Sequence, residues 1–437
     1  LAATGARYSR SSDGLETILS NIDPKKLDAS VDRIFKMVDY GHASIADMAP
    51  VAMFMDGLSQ ILAYIIWKET SIGGGQECST RFIQMDTGGL LDPQDLGIPD
   101  HLWGQWADHN KAAFEGYEHA LGVWSSFVEV DPTVARIPSA LLNSDADKDK
   151  AAVARMIRNF GFDRARVFLP TGIATNVMVV QSARAWVTLC EYLLSSPLPE
   201  ANALGEALRG ELELVAPRLL KHAIARDTNR RGQLEEFDRY QSMAHGHTLE
   251  EVVNPEAFLE MMLPRGITEA DLLAALAHHE NRYAWIGHAL RRTAVRFGWD
   301  AVGFAEVRDH NRHRTGEKDC PLVPQGFHTT LDQVPEGEPG VRAKLAEFAR
   351  TGFTATNLAN SLLMQGDPTY VYWMLFGTQV PFEHTTTGNK FVYQCELRTG
   401  PGSHYRYAGH HRQVLELFYE KFPSLKGVVL EGSAEPE

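Results

Sequence analysis

The stretch Arg308–Cys320 reads RDHNRHRTGEKDC. It places Arg308, His310, Arg312, His313 and Arg314 within seven residues of a chain whose net charge is −14. Cations packed this densely repel one another unless an anion sits among them. The guanidinium of arginine is a planar fork of donors that matches phosphate, carboxylate or an anionic ring edge. Two readings follow from these residues alone: a solvated basic turn, or a ligand site.

Outward from that stretch, length and composition set the frame. A chain of 437 residues exceeds one typical core, so two domains are expected. Hydrophobic residues make up 44%, enough for packed interiors. The acidic balance excludes a broad nucleic-acid-binding face. Cys78, Cys190, Cys320 and Cys395 lie far apart, which suits reduced thiols rather than a zinc ribbon. His245-Gly246-His247 has no carboxylate or thiol placed by spacing to complete a metal site, and none is expected. His278-His279 and His410-His411 read as polar helix positions. No signal peptide is legible, and the apolar run Met48–Trp67, interrupted by Asp56, reads as a buried helix pair rather than a membrane span. A cytoplasmic protein is the expectation.

Thr4–Ser11 (TGARYSRS) reads as a loose terminus or a phosphate-reaching arm. Val31, Ile34, Phe35 and Val38 predict an amphipathic helix over 30–39 that ends at Gly41. Leu58, Ile61, Leu62, Ile65 and Ile66 predict a buried helix. Ser71–Phe82 (SIGGGQECSTRF) reads as a glycine loop followed by two hydroxyls and an arginine, the parts of an anion cradle. Helices are predicted over 152–160, 183–194, 203–225, 270–296 and 341–350. Arg166–Pro170 (RVFLP) reads as a short buried strand, and Tyr370–Pro381 as one or two more. Residues 226–266 read as a polar, irregular connector.

Arg312-His313-Arg314 resembles the central triplet of the flavin-dependent thymidylate synthases. That family's following serine–glutamate–serine–arginine loop is missing after the triplet but resembles Gln76-Glu77-Cys78-Ser79-Thr80-Arg81-Phe82 in the first half. Gly41-His42-Ala43-Ser44 is similar to an early family element, Ala165–Pro170 to its alanine–arginine–x–x–leucine–proline segment, and Arg184 to a flavin-contacting arginine. The family's uracil-reading arginine falls on Leu193 in the first half and on Arg398 in the second. The phosphate arginine falls on Arg166 in the first and near Val371 in the second.

The resemblance implies an α+β chain of two tandem units, each a curved, mainly antiparallel sheet flanked by helices. They would span 1–225 and 267–437, with 226–266 between them, and would have decayed in complementary ways. It implies reductive C5 methylation of dUMP with methylenetetrahydrofolate, FAD and NADPH, in a homodimer that imitates the family's tetramer. Gln76, Glu77, Ser79, Thr80, Arg81, Arg166 and Arg398 would bind the nucleotide. His42, Ser44, Arg184, Arg312, His313 and Arg314 would bind FAD. Arg312, Arg398 and Glu77 would act in catalysis: Arg312 on the anionic flavin edge, Arg398 on the uracil carbonyls, Glu77 in orienting a ligand. Asp309 departs from a common glutamine, and Glu317 and Asp319 replace neutral residues. A related uridylate C5-methylase or hydroxymethylase, and an inactive flavin- or nucleotide-binding homologue, stay open as alternatives.

Overall fold

The computed structural model describes residues 2–39, 44–70 and 73–432. His42 and Gly41 lie outside the described residues. The chain divides into two compact units, one of residues 1–78, 91–99 and 174–239, the other of 79–90, 100–173 and 240–437. Both carry helices on antiparallel sheets.

The first unit is built on strands β1 (Pro50–Ser59), β2 (Gly73–Glu77) and β3 (Ala174–Ser182), in the order β1-β3-β2. Pro50 pairs with Ser182 and Met55 with Val177, and the register shifts between Met55 and Leu58. Gly57 sits at this bulge with φ +72°, a conformation open to glycine at little cost. The helix Gln60–Glu69 follows at once, capped by Ser59, whose Oγ accepts from Leu62 N at 2.9 Å. Glu200 holds that cap by accepting from Ser59 N and Oγ, at 2.8 and 2.7 Å. The run Met48–Trp67 is therefore a strand and a helix, not two helices. Alternating burial along β1 shows the two-residue period that the overall hydrophobicity hid.

The glycines after Thr70 form β2 rather than a loop. A Cβ on Gly75 would lie 1.9 Å from the Met178 carbonyl oxygen, so the missing side chain lets the backbones approach. The N-terminal stretch is neither loose nor an arm: Ala2–Tyr8 is a helix whose Ala2, Ala3 and Ala6 pack with Ile34 and Ile45. The predicted helices at 30–39 and 183–194 form as Leu27–Asp39 and Ala183–Leu194, and the one at 203–225 as Pro199–Val215.

The second unit is built on β4 (Ala257–Met262), β5 (Ala294–Gly303), β6 (Glu317–Asp319), β7 (Gly326–Phe327) and β8 (Thr378–Thr387). The order is β4-β5-β8-β6, with β7 also on β8. The register of β5 on β8 shifts between Trp299 and Val302. Helices Trp103–Val130, Asp147–Ala165, Pro339–Met364 and Tyr405–Lys421 complete the unit, the first of them unforeseen from sequence. Its core is aromatic: Trp106 meets Trp373 edge-on at 5.2 Å, and Phe297 meets Phe391 at 5.2 Å.

Four more expectations are corrected here. Arg166–Phe168 is a 3-10 turn, not a strand, yet its carbonyls are used: Val167 O accepts from Gly377 N at 2.7 Å and Leu169 O from Phe376 N at 2.9 Å. Tyr370–Trp373 likewise belongs to a 3-10 turn, and the strand starts only at Thr378. Residues 270–296 break into helices Glu269–Ala275 and His288–Arg292 before β5 begins. The segment 226–266 is not irregular throughout: it holds the helix Asp227–Met243 and β4. Among the described residues, no helix is long and apolar enough to cross a membrane.

Candidate functional site

The basic stretch is not a solvated turn. It begins in the helix Phe304–Asn311, entered directly from β5, where Glu306 Oε1 accepts from Gly303 N at 3.0 Å. Arg308, Asp309 and His310 in its last turn are all buried. The triplet follows directly, and β6 begins at Glu317.

Asp309 is the hub. Its carboxylate accepts from Arg166 Nη2 at 3.1 Å and lies 3.9 Å from Arg312 Nη1. Its backbone carbonyl accepts from Arg398 Nη2 at 2.6 Å. Burial would raise the Asp309 carboxyl, but Arg166, Arg312, Arg398 and Arg81 outweigh it and hold the group well below the usual carboxylate range. Arg398 also donates from Nε to His313 Nε2 at 2.7 Å and lies over the Tyr407 ring at 5.0 Å. Burial, reinforced by Arg398, pushes His313 well below its ordinary value. His313 is thus neutral with Nε2 as acceptor, and the triplet's charge resides on Arg312 and Arg314. Those two are only half-buried. Burial and Arg312 both lower the pKa of Arg314, the mark of like charges held together.

Of the cradle residues in the first half of the sequence, Ser79, Thr80, Arg81 and Arg166 lie in this same unit. Thr80 Oγ1 accepts from Arg308 Nη1 at 3.2 Å, and Ser79 Oγ accepts from Arg81 N at 3.3 Å. Arg81 grips Asp163 through Nε and Nη2, both at 2.7 Å, and donates from Nη1 to the Gly402 carbonyl at 3.0 Å. Burial opposes the charge on Asp163, but Arg81, with His404 and Arg166, holds it at about 2. Arg166 is buried, and its Nε has no hydrogen-bond partner. A buried orphan donor on a guanidinium fits an oxyanion. The Arg312 and Arg314 pair fits an anionic ring edge or phosphate of a flavin.

The second unit therefore brings together Thr80, Arg81, Arg166, Arg312, His313 and Arg398, with Ser79 and Arg314 beside them in sequence. Ser44, Gln76, Glu77 and Arg184 belong to the first unit. There Glu77 Oε2 accepts from Trp67 Nε1 at 2.9 Å, and Gln76 pairs with Met178 in the β2–β3 ladder. Arg184 Nη1 donates to Asp47 Oδ2 at 3.0 Å in a half-exposed pair, and Ser44 is exposed. Sequence reasoning missed Asp163 and His404, whose Nε2 lies 3.0 Å from the Asp163 carbonyl oxygen. The signal for Asp163 was a pair of arginines, Arg164 and Arg166, at the edge of an apolar run, which demands a counter-charge. The four cysteines are free thiols. His245 Nε2 bonds to Gln325 Oε1 at 2.8 Å, and His279 Nε2 lies 2.9 Å from both Glu396 oxygens.

Against protein-family models, residues 1–218 match the one described as Thy1, thymidylate synthase complementing protein. No curated protein matches the chain.

Proposed function

The chain belongs to the thymidylate synthase complementing protein family, and on that premise we propose that it is a flavin-dependent thymidylate synthase that methylates dUMP at C5. The observation that carries the reading is the Asp309 hub. It ties Arg166, matched to the nucleotide phosphate, to Arg312 and Arg398, matched to flavin and uracil. The phosphate, a dianion, would take the orphan Nε of Arg166 with Ser79 and Thr80. Arg398, fixed by His313 and Asp309, would present its remaining donors to the uracil carbonyls. Arg312 and Arg314 would hold FAD by its anionic edge. Bound FAD, reduced by NADPH, would supply the reducing equivalents for a methyl group drawn from methylenetetrahydrofolate. Neutral His313 accepts from Arg398 and so fixes the arginine without adding charge.

We also propose that the chain is a tandem duplication. Two passages support this. β1, its bulge, the helix Gln60–Glu69, β2, a 28-residue helix, a 3-10 turn, β3 and a 12-residue helix follow in order. β5, its bulge, the helix Phe304–Asn311, β6, a 26-residue helix, a 3-10 turn, β8 and a 12-residue helix repeat that order. Aligned on their bulges, β1 and β5 set Lys68-Glu69-Thr70 against Arg312-His313-Arg314. Two such chains would supply the four units of a family-type assembly as a homodimer.

The test is tritium release from C5-labelled dUMP in the presence of methylenetetrahydrofolate, FAD and NADPH. Release dependent on all four is expected. One observation favours a second reading: Asp163 and Asp309 already engage the guanidinium groups of Arg81 and Arg166. An inactive homologue would bind flavin and release no tritium.

A further inference from the structure

Tyr407 adjoins the arginine matched to uracil and belongs to neither matched set. It lies in the first turn of the helix Tyr405–Lys421 and is 2% exposed. The Arg398 guanidinium carbon stands 5.0 Å from its ring centroid. Arg398 is already held by Nε on His313 and by Nη2 on the Asp309 carbonyl, and the Tyr407 ring adds a third hold. Contacts also lead from Tyr407 to the cradle. The His404 ring lies 5.5 Å from that of Tyr407. His404 Nδ1 accepts from Arg406 N at 3.2 Å, so its proton is on Nε2, which donates to the Asp163 carbonyl at 3.0 Å. Burial and Arg166 lower His404 to about 3, and the ring is neutral. The Asp163 carboxylate grips Arg81, whose Nη1 donates to the Gly402 carbonyl at 3.0 Å. Contacts thus run without a break from Arg398 through Tyr407, His404 and Asp163 to Arg81.

The Tyr407 backbone carbonyl accepts from His411 Nδ1 at 2.8 Å, but among the described residues no hydrogen bond engages the hydroxyl. A buried phenol hydroxyl ordinarily finds a partner. A nucleotide carries its sugar between phosphate and base. On the proposed function the phosphate lies with Arg166, Ser79 and Thr80 and the base with Arg398, so the sugar falls where Tyr407 adjoins both groups. The deoxyribose of dUMP offers one free hydroxyl, at C3′, and a phenol can donate to it or accept from it. We propose that Tyr407 is a specificity-determining residue whose hydroxyl bonds the 3′-hydroxyl of the nucleotide sugar. This rests on the proposed function, from which the phosphate and uracil positions are taken.

The probe is dUMP, titrated calorimetrically into the full chain, with 2′,3′-dideoxyuridine 5′-monophosphate as the comparison that lacks the sugar hydroxyl. Tyr407→Phe removes the hydroxyl and keeps the ring beside Arg398. The variant should bind dUMP about tenfold more weakly than wild type, the loss of one hydrogen bond. The two proteins should bind the dideoxy nucleotide alike. Melting temperature without ligand and flavin content should match wild type, which separates a sugar contact from a disturbed fold. Equal affinities of the two proteins for dUMP would overturn the proposal and leave the proposed function standing. An equal loss for both nucleotides would overturn it too, by showing that the hydroxyl acts on the protein and not on the sugar. A wild-type chain that binds no dUMP would remove the proposed function and this contact with it.

Discussion

At the scale of residues, the site is a balance of buried charges. Asp309 and Asp163 stand among four arginines, and each carboxylate is ionised because of them. Removing one member of a buried pair leaves the other charged and dry, a cost of about 3–5 kcal/mol. Arg166→Ala therefore does more than remove a donor proposed for the nucleotide phosphate: it strands Asp309. Asp163 allows the sign to be worked out. Its folded value, about 2, lies below its ordinary 3.8. The stabilisation is thus fully present above about pH 4 and is lost as pH falls toward 2. It amounts to about 2 kcal/mol at neutral pH. Urea unfolding of wild type and Asp163→Asn should show a gap of that order at pH 6 that narrows below pH 4. A gap that stays constant down to pH 2.5 would count against the ion pair with Arg81. The arginines were legible in the sequence because cations cluster visibly. Asp163 was not, because its partner is 82 residues away.

At the scale of elements, the edge strand β2 is the clearest case of a signal read in the wrong sense. Three glycines suggest a loop when flexibility is the only property considered. In the sheet they serve close approach: a Cβ on Gly75 would also lie 2.7 Å from the Trp67 ring, while one on Gly74 would meet nothing within 4 Å. Gly75→Ala should therefore cost about 1–3 kcal/mol by overpacking. Gly74→Ala should be neutral or gain up to about 1 kcal/mol through the unfolded chain. Chemical denaturation of the two variants decides it, and equal effects would contradict the strand. The helices after β1 and β3 were readable because their apolar residues recur at helical spacing and hydroxyl caps precede them. The 3-10 turn at Arg166–Phe168 was not, because a short apolar run has no period. The break of 270–296 into two short helices and a strand was hidden for a related reason. Histidines and alanines there keep helical spacing without a continuous apolar face.

At the scale of the whole molecule, the question is how many sites one chain carries. A duplicated enzyme with two intact halves would hold two. Here the matches to the nucleotide cradle, Ser79, Arg81 and Arg166, come from the first half of the sequence, and the triplet and Arg398 from the second. Aligned on β1 and β5, the first half offers Lys68-Glu69-Thr70 in place of the triplet, with one cation instead of two. Arg166 and Thr80 contact Asp309 and Arg308 of the same chain. On the proposed function, one FAD and one nucleotide per chain are the expected outcome, formed within a chain even if the protein is a dimer. Two measurements test this together. Flavin absorbance against protein concentration should saturate at one FAD per chain. Mixing inactive Arg81→Ala with inactive Arg312→Ala under conditions that exchange subunits should restore no activity, because each mixed dimer still lacks a chain with both sets. Restored activity would mean that sites form across chains, as the family's shared sites would suggest. Saturation at two FAD per chain would show that the degenerate positions still bind, and the division of one site between two repeats would fall.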